Sequence, residues 1–407
     1  MTGTRMRPFG RTIPLEDARV IIDAAIQPIT RTVRVPLDSA LGRVLASPII
    51  AQADVPPFSR AGMDGYAVQA GDTVGATRAS ARTLDCIGQI FTGDAPAFAI
   101  GPGQCVEIAT GAPMPVGADA VVMVEETFRA GQAVQIFSAV TASQNVGRQG
   151  ADIRSGQTVL LDGDLLNPSR IGAAAALGVA EVTVYDAPRV TILSTGNEII
   201  EPGQPLGPGQ IYDINRFSLS ALVTDNGGVP IARRTARDTI EDLERAVDEC
   251  QADDLILFSG GSSVGERDLI LDVLQKRGTM LFHGLAVKPG KPTAFGRLGT
   301  TTFFGLPGYP TSCLSNAYIF VAPALRKLAR LPPRRERTVT LPLASRVVSA
   351  TGRHQFLTVR IVDGLAVPAF KGSGDITSMS QADGYIEIPL DVESVDAGTR
   401  VEVTLFV

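Results

Sequence analysis

The sequence predicts a multidomain protein of the α/β and β classes. A central parallel-sheet α/β domain is accompanied by an inserted β domain, a helical domain built from separate segments and a C-terminal β domain. The chain has 407 residues, more than one hydrophobic core usually supports. Residues 187–332 alternate strand-like and helix-like segments, whereas short β-branched segments between turn residues dominate 53–145 and 333–407.

The N-terminal domain is predicted to combine two segments, residues 1–52 and 146–186, and to be mostly helical. PLEDARVIIDAAIQ has a proline near its first turn and acids early, which predicts a helix at 14–27. An extended VRVPL follows, and DSALGRVLA predicts a second helix at 38–46. NPSRIGAAAALGVAEVTV, at 167–184, predicts a capped helix and then a strand.

The α/β segment has the spacing of βαβ units, which form a parallel sheet covered on both faces. In such sheets ligands bind at the carboxyl ends of the strands. STGNE, FSGGSSVG and GLPGYP each follow an apolar strand-like run. We therefore expect these three loops to form one shared site.

Composition excludes several classes of function. The net charge of −5 does not favour nucleic acid or an anionic membrane. The N-terminus has no apolar segment behind its early arginines, and no run of about 18 apolar residues exists, so we expect a cytoplasmic protein without a membrane span.

Cysteine and histidine usage narrows the chemistry further. The four cysteines form no C-x-x-C pair, which favours buried, reduced thiols over a zinc or redox site. The chain has only two histidines, His283 and His354, so it offers very few candidates for a Ser-His-Asp triad or a multi-histidine metal site. Carboxylates, lysines and backbone amides must carry the chemistry.

The stretch FSGGSSVGERD, residues 258–268, has the chemistry of a phosphate site. Small residues let backbone N–H groups approach an oxyanion, and the following helix adds the positive end of its dipole. The turn lacks the Gly-Lys-Ser ending of a Walker A loop and the G-x-G-x-x-G spacing of a Rossmann fingerprint. The candidate anion ligands are Ser259, Gly260, Gly261 and Ser262, with Lys288 and Lys291 as nearby point charges.

Six further polar residues have a functional and a structural interpretation. Asp64, Thr110 and Asp152 lie in turn-like motifs, where such residues commonly cap or stabilise turns. Glu198 follows a strand and either faces the crevice or complements a helix dipole. Asp238 resembles an ordinary helix N-cap, and Asp268 either caps the next helix or holds Mg²⁺ beside the phosphate turn.

Taken together, the motifs resemble those of the molybdopterin molybdenumtransferase family and of the C-terminal domain of gephyrin. The chain carries MDGYA, ATGAP, STGNE, GQIYDINR, SGGSSVGERD, VKPGKP and GLPGYP in the order and approximate spacing of that family. The resemblance covers essentially the whole chain. It implies an elongated homodimer whose regions match the partition above.

The resemblance implies an enzyme of molybdenum cofactor biosynthesis. Such an enzyme takes adenylylated molybdopterin and molybdate, hydrolyses the pyrophosphate linkage with Mg²⁺ and releases AMP. Its implied partners are the adenylyltransferase that supplies the substrate and the molybdoenzymes, or their chaperones, that receive the product. The matching catalytic positions are Asp64, Thr110, Asp152, Glu198, Asp238 and Asp268, of which Glu198, Asp238 and Asp268 are the implied metal ligands.

The same resemblance assigns Lys288 and Lys291 to ligand binding and Pro307 and Pro310 to the shape of the pocket. It also implies that Asp64 and Thr110 complete the site from the partner subunit. Two departures concern the oxyanion. Tyr309 replaces the asparagine usual in GLPGNP, and Arg148 is the only cation of VGRQG, followed by Ala151 where an acid is frequent. We therefore expect that the preference for molybdate over tungstate differs from that of typical relatives.

Three alternatives stay open from the sequence. The first is a molybdopterin-binding scaffold or carrier without turnover, although clustered carboxylates bring no advantage to a mere binder of an anion. The second is a tungstate-inserting paralogue. The third is the related adenylyltransferase, which would not need the inserted and C-terminal β domains.

Overall fold

The computed structural model describes residues 12–95, 99–196, 198–232, 239–250, 253–260 and 269–406. Residue contacts divide the chain into two compact units. The first unit comprises the described residues of Met1–Val33, Gly42–Val44 and Val184–Val407, and the second comprises those of Arg34–Leu41 and Leu45–Thr183.

Helix α1 (Leu15–Ala25) confirms the first predicted helix. It begins after Pro14 and carries Glu16 and Asp17 in its first turn, where acids complement the helix dipole. Leu15 and Ile22 lie on its buried face and join the core of the first unit. The amphipathic spacing of the sequence therefore sets the orientation of the helix.

The predicted helix over 38–46 is wrong. Only Leu37–Ser39 form a short 3-10 turn. The amide of Leu45 donates to Asp164 O and that of Ala46 to Thr183 O, both at 2.9 Å. These long-range bonds replace the i to i−4 bonds that a helix would need.

The regular elements between residue 32 and residue 185 are mainly short strands. The strands are β1 (Thr32–Pro36), β2 (Ile49–Ile50), β3 (Arg60–Ala61), β4 (Gly65–Val68), β5 (Arg82–Ile90), β6 (Gln104–Ile108), β7 (Ala120–Met123), β8 (Thr127–Ala130), β9 (Ala133–Ile136), β10 (Val146–Gly147), β11 (Thr158–Leu160) and, after helix α2 (Pro168–Ala176), β12 (Glu181–Tyr185). Asn167 caps α2 through its side chain, which accepts from the amide of Arg170.

The inserted β domain is built on a six-stranded sheet of order β7-β4-β6-β5-β9-β8. All neighbours are antiparallel except β5 and β6, which are parallel. Two hydrophobic clusters pack on its strands, one including Val68, Leu84 and Val122, the other Ala67 and Val106. Alternation along β4 sends neighbouring residues to opposite clusters.

The next segment of the first unit alternates strands and helices, as predicted. Its elements are β13 (Arg189–Ser194), β14 (Ile199–Ile200), β15 (Ile211–Tyr212), α3 (Asn215–Asp225), β16 (Val229–Ala232), α4 (Ile240–Cys250), β17 (Leu255–Ser259), α5 (Leu269–Arg277), β18 (Thr279–His283), β19 (Val287–Lys288), β20 (Ala294–Leu298), β21 (Thr301–Leu306), α6 (Pro310–Asn316) and α7 (Ala322–Leu328). A π-helical segment, Ala317–Val321, joins the last two helices.

The main sheet has the order β16-β13-β17-β21-β20-β18. Its first four strands are parallel, as predicted, but β20 runs antiparallel to both of its neighbours. The reason is the two-residue connection from β20 to β21, in which Gly299 has φ +62. A connection this short forms a hairpin, whereas a parallel pair needs a long crossover.

Both faces of the main sheet are covered by helices. Along β17, Leu255 and Leu257 join one core with residues of α1, α3 and α7, whereas Ile256 and Phe258 join another with residues of α4 and α5. A strand buried on both faces reads as a continuous apolar run, which explains the sequence LILF.

The C-terminal β domain follows as predicted. Its elements are β22 (Thr338–Pro342), β23 (Val347–Val348), β24 (His354–Val362), β25 (Leu365–Pro368), α8 (Thr377–Ser380), β26 (Gly384–Ile388), β27 (Ser394–Val395) and β28 (Arg400–Leu405). The sheet has the order β19-β24-β26-β28-β22, with β25 paired to β24. Strand β19, which carries Lys288, is thus the edge strand of this sheet.

None of the helices in the described part of the chain has the length and apolarity needed to cross a bilayer.

Candidate functional site

The glycine turn begins where β17 ends. Ser259 is buried, and Gly260 follows with φ +102. A Cβ at Gly260 would lie 2.5 Å from the carbonyl oxygen of Thr195, so only glycine fits between the loops after β13 and β17. The Thr195 amide donates to Ser259 O at 3.0 Å. These contacts bring the ends of β13 and β17 together at Thr195 and Gly260.

The loop after β21 joins the same edge of the sheet. Pro307 is buried, and a Cβ on Gly308 would lie 3.4 Å from the Cα of Gly260. The three loops expected to meet do therefore meet in the first unit, at the carboxyl ends of parallel strands.

Asn215, which the sequence analysis did not select, connects these loops. It is the first residue of α3 and only 8% exposed. Its Nδ2 donates to Ser259 Oγ at 2.6 Å and to Gly308 O at 2.8 Å. One amide group therefore ties the end of β17 to the loop after β21. The motif GQIYDINR contains this residue, but nothing in the sequence shows which partners it binds.

Glu198 lies in the loop after β13 with its side chain exposed. A Cβ on Gly196 would lie 2.7 Å from Oε1 and 2.8 Å from Oε2 of Glu198, so the carboxylate folds back over this glycine, whose φ is +146. The Ile211 amide donates to Glu198 O at 2.9 Å. Glu198 therefore lies in the turn between β13 and β14 and not in the first turn of a helix.

Lys288 and Lys291, both half-buried, flank a tightly held turn. Gly290 has φ +104, and a Cβ there would lie 1.6 Å from Asn316 Nδ2. That nitrogen donates to Ser312 O at 2.7 Å and to Pro289 O at 3.3 Å. The turn is thus fixed to α6, the helix that Pro310 begins, so the VKPGKP and GLPGYP motifs share one support.

The C-terminal β domain contributes to the rim, which the sequence did not reveal. The Thr311 amide donates to Ser373 O at 3.0 Å, and Thr311 Oγ1 donates to Asp375 O at 2.8 Å. Tyr309 is 67% exposed, with its ring against Gly374, where a Cβ would lie 3.7 Å from Cδ1. Tyr309, which stands where relatives carry asparagine, is therefore exposed at the rim of the candidate site.

Buried polar groups lie beneath the loops. Among the residues that the structure describes, Ser194 Oγ, Thr195 Oγ1 and Asn215 Oδ1 have no hydrogen-bond partner. Such groups are costly in a merely structural core. Cys313 Sγ lies 3.9 Å from Ser259 Oγ, and burial raises the pKa of this thiol to about 12. Cys313 is consequently protonated at neutral pH.

In the second unit, the structure brings Asp64 and Thr110 together. The Thr110 amide donates to Asp64 Oδ1 at 2.7 Å, and Thr92 Oγ1 donates to Thr110 O at 2.8 Å. The backbone hydrogen bond from Thr110 is the main cause that lowers the pKa of Asp64. Both side chains are exposed, so the pair presents an ionised carboxylate at the surface.

Asp152 lies on another loop of the second unit. Its amide donates to Val55 O at 3.0 Å, and its side chain is exposed. Asp54 holds the surrounding loop, accepting from Gln149 Nε2 and from the Ser155 amide, both at 2.9 Å. Asp152 is therefore presented by an ordered loop.

Four predicted residues, Gly261, Ser262, Asp238 and Asp268, lie outside the described residues. Of the predicted metal ligands the structure therefore describes Glu198 alone. Within the described ranges, no group of three histidine, cysteine, aspartate or glutamate side chains is arranged to hold a metal ion.

We predict that the Asp64 carboxyl titrates below the ordinary aspartate pKa of about 3.9. Because the folded pKa is lowered, the Thr110 hydrogen bond stabilises the fold above that ordinary value and is lost as pH falls through the lowered pKa. NMR should show the Asp64 carboxyl carbon and the Thr110 amide titrating together. In Asp64→Asn the amide transition should disappear. A midpoint at or above the ordinary value would contradict the assignment.

Three family models match the chain. The family model of the MoeA N-terminal region (domain I and II) matches residues 13–178. That of a probable molybdopterin binding domain matches 191–327, and that of the MoeA C-terminal region (domain IV) matches 340–406. The three models succeed one another along the chain.

Curated relatives match over nearly their full length. Molybdopterin molybdenumtransferase 2 of Mycobacterium tuberculosis is 36% identical over 95% of this chain and 98% of its own. Molybdopterin molybdenumtransferase of Haemophilus influenzae is 34% identical over 93% of this chain and 94% of its own. The solved structure of a molybdopterin biosynthesis MoeA protein from Pyrococcus horikosii is 40% identical, covers 97% of this chain and 99% of its own, and superposes with a TM-score of 0.85. The chain therefore belongs to the MoeA family of molybdopterin molybdenumtransferases.

Proposed function

We propose that this protein acts in molybdenum cofactor biosynthesis as a molybdopterin molybdenumtransferase. It takes adenylylated molybdopterin and molybdate, transfers molybdenum to the dithiolene and hydrolyses the bond between the two phosphates, so that AMP leaves. The main support is one observation: the loops after β13, β17 and β21 meet at a glycine turn in a chain whose relatives of that name match over nearly their whole length.

The phosphates of the substrate are assigned to the turn at Ser259 and Gly260, continued by Gly261 and Ser262. The close approach of Gly260 to Thr195 leaves no room for a side chain, and backbone amides in such a turn bind oxyanions. Lys288 and Lys291, on the turn that is fixed to α6, compensate the negative charge of the phosphates. Pro307 and Pro310 shape the opposite side.

Mg²⁺ is assigned to Glu198 with Asp238 and Asp268. Glu198 fits the ion because it places two carboxylate oxygens, exposed, at the strand edge beside Gly196, and oxygen donors suit Mg²⁺. When bound, Mg²⁺ neutralises charge on the phosphate oxygens. The residues of the chain hold the pyrophosphate against the glycine turn and orient the attacking water.

The functional protein is proposed to be a homodimer. Asp64 and Thr110 then act from the β domain of the partner subunit, and Asp152 is a further proposed catalytic residue. The Asp64–Thr110 hydrogen bond supports this role, because it keeps the carboxylate ionised and fixes its direction. The further proposed partners are the supplying adenylyltransferase and the molybdoenzymes, or their chaperones, that receive the cofactor.

A scaffold or carrier that binds molybdopterin without turnover is the main alternative. The exposed carboxylate of Glu198 speaks against it, since an anion binder is weakened by a negative charge at its rim. The two functions predict different results for removal of that charge.

We expect purified protein to release AMP from adenylylated molybdopterin when Mg²⁺ and molybdate are present. Glu198→Gln and Asp268→Asn should each slow AMP release on the order of 100-fold, because they remove oxygen ligands from the metal. Binding of the substrate should change less than about threefold, since the glycine turn and the lysines remain.

Glu402→Gln is the matched control, because Glu402 is exposed on β28 in the C-terminal sheet. It should release AMP at the wild-type rate. If the wild type binds the substrate but releases no AMP, the protein is a molybdopterin-binding scaffold and not an enzyme. Unchanged turnover in Glu198→Gln and Asp268→Asn would contradict the assignment of Glu198 and Asp268 as metal ligands.

Tyr309 is expected to influence the choice of oxyanion. The exposed ring adds bulk and a phenol at the rim, where typical relatives carry asparagine. Insertion of molybdate and of tungstate should be compared in wild type, Tyr309→Asn and Tyr309→Phe. We expect Tyr309→Asn to change the molybdate-to-tungstate ratio by about threefold or more and Tyr309→Phe to change it less. Equal rates for wild type and Tyr309→Asn with both oxyanions would refute this.

A further inference from the structure

Two cysteines lie side by side inside the β domain of the second unit. Cys86 on β5 and Cys105 on β6 are Cα partners in the only parallel strand pair of that sheet, within the described residues. Both are almost fully buried and belong to one hydrophobic cluster. Neighbouring strands are about 4.8 Å apart, which lies within the Cα separations that disulfides span.

The two thiols also influence each other. Burial, and after it the neighbouring Cys86, raises the pKa of the Cys105 thiol to about 12. Cys86 Sγ, in turn, donates to Gly88 O at 3.3 Å. Both side chains lie on the same face of the sheet, because both belong to one hydrophobic cluster.

A charged group adjoins this pair. The Arg129 guanidinium forms an ion pair with Glu107 and lies close enough to Cys86 for this cysteine to be the largest cause of the raised pKa of Arg129. Cys105 is fully buried, whereas Cys86 retains 5% exposure, so Cys86 is the residue of the pair that is nearer to solvent.

The remaining cysteines are held elsewhere. Cys250 Sγ donates to Ala246 O at 2.8 Å within α4, and Cys313 contacts Ser259 beneath the glycine turn. Both belong to cores of the first unit. Cys86 and Cys105 are thus the pair whose geometry suits a bond.

We propose that Cys86 and Cys105 form a reversible dithiol–disulfide site that crosslinks β5 to β6 when the protein meets a peroxide or a small-molecule disulfide. With hydrogen peroxide, the Cys86 sulfur attacks one oxygen and the O–O bond breaks. The leaving hydroxide takes up the proton of the Cys86 thiol and departs as water, and Cys86 becomes a sulfenic acid. The Cys105 sulfur then attacks that of Cys86, its proton leaves with the hydroxyl as a second water, and the S–S bond forms. Two thiols are oxidised by two electrons and the peroxide is reduced.

The crosslink acts on the strand that leads to Thr110. β6 ends at Ile108, two residues before Thr110, and pairs with β4, which begins directly after Asp64. Oxidation consequently fixes the support of the Asp64–Thr110 pair. This inference concerns a site in the β domain and does not depend on the proposed function.

The test treats the native full chain with a small excess of hydrogen peroxide, alkylates the remaining thiols and maps the peptides by mass spectrometry. The expected product is a Cys86–Cys105 linked peptide, two hydrogens lighter than the reduced pair. Reactive thiols in the subsequently denatured protein should fall from four to two and recover with dithiothreitol. The thermal unfolding midpoint should rise in the oxidised wild type and not in oxidised Cys86→Ser.

Cys250→Ser is the matched control and should still form the crosslink, whereas Cys86→Ser and Cys105→Ser should not. The proposal is overturned if both thiols stay reduced in the native wild type. It is equally overturned if the link forms only after denaturation, or if sulfinic and sulfonic acids are the sole products. These outcomes are read from the wild type and do not require the variants to fold.

Discussion

Parallel, in-register pairing of β13, β17 and β21 is the constraint on which the site of the first unit depends. Ser194 pairs with Ser259, and Ser259 pairs with Leu306, so the three strands end at the same level. Their loops must leave the sheet at one edge, within a few ångströms of each other. The two hydrophobic cores on the faces of the sheet hold this register, because a slip by one residue would exchange the side chains of the two faces.

Close backbone approach then determines which residues can occupy the loops. Gly260 lies against Thr195, and Gly290 against Asn316, at distances where a Cβ would collide. Both have positive φ, so side chains are excluded by conformation as well as by space. The fold thus requires glycine at these positions. The absence of a side chain also leaves backbone amides accessible to an anion. Because the loops after β17 and β21 lie this close together, the side-chain amide of Asn215 can donate to both of them.

Much of this fold was predictable from the sequence, because it rests on local patterns. The continuous apolar run of β17 indicates a strand buried on both faces, and the glycine turn after it indicates an anion site. The antiparallel β20 was not predicted, because a two-residue hairpin at Gly299 decides its direction. The sequence also predicted a helix at 38–46 that does not form, because backbone hydrogen bonds to Asp164 and Thr183 outweigh the local helix propensity.

The site itself was predictable as a set of motifs but not as a set of contacts. Asp64 and Thr110 were selected separately, and their hydrogen bond depends on the pairing of β4 with β6. Asn215, Thr311 and the turn at Ser373 act through tertiary contacts between segments far apart in sequence, which carry no local signal. Sequence patterns indicate which residues bear chemistry, whereas the structure shows how they are held.

The central claim is that the converging loops, held by Asn215, form the substrate site. Its most direct test is the affinity for adenylylated molybdopterin, measured by calorimetry for Asn215→Leu and Asn226→Leu. Both residues are buried, Asn215 as the first residue of α3 and Asn226 directly after its last residue. Asn226 Nδ2 donates only to Leu222 O, so each substitution should lower the free energy of unfolding by about 1–3 kcal/mol. We expect Asn215→Leu alone to weaken binding by about tenfold or more. Wild-type affinity in folded Asn215→Leu would contradict the claim.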